Sequence, residues 1–223
     1  MGALHGSLGY LRFLVTGEVA NNPGTSYERS ISPRRFLPLS PSGEPLESAG
    51  WAPLEAPFDD ERAVTRDLFL FGELVAVCYR EDRYAIPRAL IKREARRRLD
   101  TIVREEGKDP RSFGRAFVKA VEAAALAELK TKTIPRTRLC DVVWDTKRGE
   151  LRVFGRGALA TERVASLVER TFQIRVELAS YPARAFGLDL GSRAGGVLDR
   201  LAPGWLFPDL ARGQENAPDE EAA

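Results

Sequence analysis

At 223 residues, 43% of them hydrophobic and 30% charged, the chain has enough apolar material for a folded core and too much for a disordered segment. One histidine and two cysteines weigh against histidine-based acid–base chemistry and the usual zinc ligand sets, so no cofactor is expected. Net charge is only +2, so affinity for a polyanion has to come from segregation of charge along the chain.

Leu8 to Val19 is rich in β-branched and aromatic side chains and reads as a first strand. Asn21 to Thr25 (NNPGT) is turn chemistry. Ser26 to Phe36 reads as a short helix that Pro33 limits. Pro38 to Pro57 is a Pro/Ser/Gly loop containing GWAP, whose Trp51 is expected to plug the core beneath it. Asp67 to Tyr79 reads as a strand with a turn or bulge at Gly72–Glu73, and Arg83 to Ile86 as its short partner. Cys78 and Cys140 sit in apolar, strand-like runs and read as buried thiols. His5 lies in a Gly-rich N-terminus.

Pro87 to Arg104 is the most distinctive stretch, with seven basic side chains against two acids. At 100° per residue, Ile91, Ala95, Leu99 and Ile102 share an arc of about 80°. Lys92, Arg93, Arg96, Arg97 and Arg104 follow on the neighbouring face. Exposed helices usually mix signs for i, i+4 pairing, and this face barely does. Pro87 suits the first helical position and Gly107 the residue that ends the helix. Asp109–Pro110 then starts a second helix, running to about Lys130. Its Phe113, Phe117, Ala120, Ala124 and Ala127 share a face, and an alanine seam with Ala116 would let two helices approach closely. From Arg88 to Arg138 there are 15 Lys and Arg against 7 Asp and Glu, a charge of +8 that leaves −6 on the remainder.

Thr133 to Asp145 returns to strand, DTKRGE makes a tight turn, and Leu151 to Gly155 is the hairpin partner. Thr161 is the expected N-cap of a helix carrying Val164, Leu167, Val168 and Phe172 on one face, and Gln173 to Leu178 is a last strand. Weaker pieces (GVLDRLAP, GWLFPDLA) precede an acidic tail holding Glu215, Asp219, Glu220 and Glu221. The fold class is α+β: a mixed or antiparallel sheet with packed helices and an inserted helical-hairpin arm. Residues 1–86 plus 133–190 form the body, 87–132 the insertion, and 191–223 a C-terminal segment with a disordered tail. The most apolar run, LFLFGELVAVCY, is too short to span a bilayer and is interrupted by Glu73. With no signal-peptide pattern, the chain reads as cytoplasmic, without a membrane partner.

Taken in order, several of these stretches resemble the RdgC family of bacterial recombination-associated DNA-binding proteins. They are Phe36-Leu37-Pro38, AGWAP around Trp51, LVAVCYRED, YAIPRALIKREA with Ile86-Pro87 and Ile91-Lys92, Pro135-Arg136, and VVWDTKRGELRV. The similarity covers roughly residues 8–190. It implies a helical tip projecting from an α/β body, with two subunits closing a positive ring around duplex DNA without reading sequence. The tip would be residues 87–130, giving a homodimer through the helical tip and association with the nucleoid. Longer members continue into a C-terminal base region that supplies a second dimer contact, most of which this chain is expected to lack.

The first functional expectation is therefore sequence-independent binding of double-stranded DNA, linked to recombination or replication. Lys92, Arg93, Arg96, Arg97 and Arg104 would act on the helix face, and Lys130, Lys132, Arg136 and Arg138 where the chain returns to the sheet. No recognition helix, zinc finger or aromatic RNA-binding pattern points to base readout. Phe113 and Phe117 read as core, which does not favour single-strand stacking. A second expectation is a metal-dependent nuclease using Asp141, Asp145, Lys147 and Glu150, although Asp145 to Gly149 is good hairpin-turn chemistry in its own right. A third is a protein-interaction module using the helical insertion and its alanine seam.

Overall fold

The computed structural model describes residues 2–4, 9–41, 45–107, 113–155, 158–179 and 197. Its elements, in order, are β1 (Leu11–Thr16), α1 (Pro23–Ile31), β2 (Glu47–Ala52), α2 (Arg66–Phe69), β3 (Leu70–Phe71) and β4 (Leu74–Arg83). They continue with α3 (Arg88–Glu106), α4 (Arg115–Thr131), β5 (Arg136–Asp145), β6 (Glu150–Phe154), α5 (Ala158–Phe172) and β7 (Arg175–Leu178). All belong to one compact unit, Met1–Leu178. The class is α+β, and every named strand pair is antiparallel, in the order β2-β4-β5-β6-β1-β7 with β3 beside β4.

β4 is the central strand. Its run LVAVCYREDR is buried on both faces from Val75 to Asp82, and it pairs with β5 over ten positions, Leu74↔Asp145 through Arg83↔Arg136. Because side chains alternate, Val75, Val77 and Tyr79 join Cys140, Val142 and Trp144 on one face, with Leu151, Val153 and Phe13 beyond. Tyr27 and Ile31 of α1 and Val164, Val168 and Phe172 of α5 cover that face. The opposite face carries a smaller cluster of Ala52, Leu54, Ala76 and Cys78. The two thiols are thus buried on opposite sides of the sheet.

Trp51 plugs the core as expected. It is 1% exposed, and its indole Nε1 donates 2.9 Å to Thr171 Oγ1, tying β2 to α5. The stretch around it is not a loop, because ESAGWA forms β2 against β4. Composition hid this strand, since Gly50 is there for space. A Cβ at Gly50 would stand 2.5 Å from Phe36 N and 2.6 Å from Arg35 C, where residues 35–36 run alongside β2.

Other boundaries also differ from the sequence reading. Pro23 and Gly24 of the expected turn open α1 instead, since proline tolerates the first helical turn. Gly72 makes the expected turn with φ +61°, but Arg66–Phe69 before it is helical. Arg83 closes β4, so residues 83–86 are not a partner strand. Thr161 lies inside α5 rather than capping it. Gly107 ends α3 in the left-handed conformation, φ +63°, and Gly149 turns the β5–β6 hairpin at φ +63°. His5, the Asp109–Pro110 helix start, GVLDRLAP apart from Val197, GWLFPDLA and the acidic tail lie outside the described residues.

α3 and α4 are inserted between two adjacent strands. Since Arg83 and Arg136 are β-sheet partners, the chain leaves and re-enters the sheet at one end. The helices pack on each other through Ala95, Leu99 and Ile102 against Val121 and Ala125.

Candidate nucleic-acid interface

The packing of α3 decides which of its charges are available. Ala95, 3% exposed, marks the inward face. Arg98 turns inward too, held by Glu94 at 3.9 Å and by Glu128 of α4. Lys92, Arg93, Arg96, Arg97 and Arg104 are all exposed on the outward side. Arg97 approaches Glu94 at 3.8 Å but keeps 80% side-chain exposure. The other four make no side-chain hydrogen bond or ion pair among the described residues. Exposed Asp100 lies within the row, so the stripe carries a net +4. α3 therefore holds one ion-pair clamp toward α4 and one cationic face that its acids only partly offset.

The second expected group divides. Lys130 is 2% exposed, so it is not a surface cation. Its Nζ donates to Pro45 O at 3.2 Å and lies 5.7 Å above the Tyr84 ring. The four-carbon stem lets the ammonium pin the end of α4 onto the body, which removes it from reach of a phosphate. Lys132 is exposed, but it pairs with Glu128, the residue that also holds Arg98. Arg136 and Arg138 are exposed, two residues apart and so on one face of β5. Arg83 stands directly opposite Arg136, and Glu81 opposite Arg138. Sequence reading missed Arg83; extending the alternation of Val77, Tyr79 and Glu81 by two positions would have found it.

Glu81 is 4% exposed beneath this corner. It accepts from the Tyr79 hydroxyl at 2.9 Å and from Arg163 of α5 at 2.8 Å. Burial pushes its carboxyl up, but the hydrogen bonds from Arg163 and Tyr79 outweigh that and hold it below the usual range. Burial and the bond to Glu81 push the Tyr79 hydroxyl up, so it stays protonated. On the other face Arg80 is clasped by Asp82 at 2.8 Å and Asp60 at 2.6 Å, with its guanidinium 4.0 Å above the Phe36 ring.

No protein-family model and no curated protein matches this chain. What the surface can do follows from its own residues.

The carboxylates of the nuclease expectation have local partners. Asp141 accepts from the Ala3 amide at 2.7 Å. Asp145 accepts from the Arg148 amide at 2.9 Å, closing the hairpin turn that also carries Lys147. Glu150 meets Arg12 at 3.5 Å and Arg152 at 3.4 Å. Among the described residues no three His, Cys, Asp or Glu side chains gather as metal ligands, and no helix is long and apolar enough to cross a membrane.

The alanine seam of α4 faces away from α3. Ala116, Ala120 and Ala124 are exposed, Phe117 is 40% exposed, and Phe113 is half-buried. The two phenylalanines stack on each other at 4.9 Å rather than filling the core. The helical spacing of Phe113, Phe117, Ala120, Ala124 and Ala127 defines a real face, but not the packed one. The packed face uses Val121 and Ala125, one position further on in each turn.

Proposed function

We propose that the protein binds double-stranded DNA without reading its sequence, through the outward face of α3. The single observation that carries this is the row Lys92, Arg93, Arg96, Arg97 and Arg104, exposed and almost wholly unpaired on one helix side. Arginine and lysine in such a row exchange condensed counterions for phosphate contacts. Asp100, four residues from both Arg96 and Arg104, is the acid placed to balance the row, and it makes an ion pair with neither. The resemblance of the motif order to the RdgC family supports the same reading, including a role beside recombination or replication. Two duplexes of unrelated sequence should bind with equal affinity, within about twofold. The R93E/R96E/R97E variant should bind both at least about tenfold more weakly. Strong preference for one sequence, or unchanged affinity in the variant, would overturn the proposal.

The exposed α4 face favours self-association as part of this reading. Phe117, Ala120 and Ala124 give an exposed apolar surface, one aromatic ring beside two alanines, suited to a second copy of the same helix, which would place two basic α3 faces on one assembly. Light scattering should then report a dimer for the wild type and a monomer for F117E/A120E. A monomeric wild type would remove the second copy from the proposal.

A further inference from the structure

Where the chain leaves the sheet for α3 and returns in β5, the strand ends frame a concavity of about 560 Å³. Arg83, Arg136 and Arg138 line it together with Glu47 and Glu81, and Leu46, Ile86 and Pro87 form an apolar wall. Arg83 and Arg136 are direct cross-strand partners, and like charges so placed destabilise an antiparallel pair. The acids of the corner are shared: Glu81 is held by Arg163 and Tyr79 and also lies across the strand from Arg138, and Glu47 lies 3.9 Å from Arg83 and 3.8 Å from Arg163. Arg136 and Arg138 make no hydrogen bond or ion pair among the described residues. Three arginines against Glu47 and Glu81 leave the lining of the concavity at +1.

We infer that this concavity binds the terminal 5′-phosphate of a nucleotide, held by Arg83, Arg136 and Arg138, with the sugar and base against Leu46, Ile86 and Pro87. A phosphomonoester carries nearly two negative charges at neutral pH and presents three acceptor oxygens. Those suit the forked donors of several guanidinium groups in a hollow of net positive charge. A phosphodiester within a strand carries one charge and has chain on both sides, which suits the open α3 face better than a hollow. The volume is that of a small-molecule site. Both a free mononucleotide and a phosphorylated strand end present this chemistry, and only the second source rests on the proposed DNA binding.

The test compares one blunt duplex in 5′-phosphorylated and 5′-hydroxyl forms at fixed salt, beside calorimetric titration of deoxyadenosine 5′-monophosphate against deoxyadenosine. The phosphorylated duplex should bind about fivefold tighter or more, and the monophosphate should bind where the nucleoside does not. Arg83→Gln, which relieves a like-charge pair at an exposed site, should melt no lower than the wild type and lose both differences. A preference in either arm supports the pocket and names the source of its ligand. Equal affinity for the two duplex ends, together with no binding of the monophosphate, would overturn it while leaving binding through α3 standing. Loss of all duplex binding with the monophosphate still bound would do the reverse.

Discussion

Glu81 shows how much a single buried acid depends on its donors. Its ionised form is held below the ordinary carboxylate pKa by Arg163 and Tyr79 against the opposing effect of burial. A depressed folded-state pKa adds stability above the unfolded value of about 4.3, and that stability is lost as pH falls through the folded value. Arg163→Met should therefore lower Tm most above about pH 5. The gap to the wild type should close on acidification, as Glu81 becomes neutral in both proteins. A gap independent of pH would mean that Arg163 acts through packing alone. Gly50 makes a steric counterpart. A methyl group there would meet the Arg35–Phe36 backbone, which no rotamer change relieves. Gly50→Ala should cost about 1–3 kcal/mol in urea unfolding.

At the level of elements, α3 was legible and α4 was half so. The period of Ile91, Ala95, Leu99 and Ile102 placed the inward face of α3, and Gly107 its end, because both signals are local. In α4 nearly every residue from Ala116 to Ala127 is small or apolar, so periodicity could not tell the packed side from the bare one. Burial separates them: Ala125 is 0% exposed between the helices, while Ala124 beside it is open. In the monomeric F117E/A120E background, Ala125→Leu should overpack and cost about 1–3 kcal/mol, whereas Ala124→Leu should stay within about 0.5 kcal/mol; the reverse order in denaturant titrations would contradict this orientation. Lys130 went the other way. Nothing within ten residues of it signals burial, since its partners Pro45 and Tyr84 come from distant parts of the chain. β2 escaped for a related reason, its strand character depending on β4 rather than on its own composition.

On the scale of the whole molecule, the charge is placed rather than abundant. A net +2 conceals +8 between Arg88 and Arg138. The fold sorts that excess into ion pairs on the helices, with Arg98 and Lys132 on Glu128, a cationic helix face, and an arginine corner at the sheet end. The strand pairing that brings Arg83 beside Arg136 also makes the inserted helices start and finish at that corner. The central claim is that the α3 face meets phosphates, and the slope of log K against log salt for duplex DNA tests it most directly. With four to five contacts the slope should be about −4 to −5, and in R93E/R96E/R97E it should flatten to about −1 to −2. A wild-type slope near zero, or one the variant leaves unchanged, would contradict the claim.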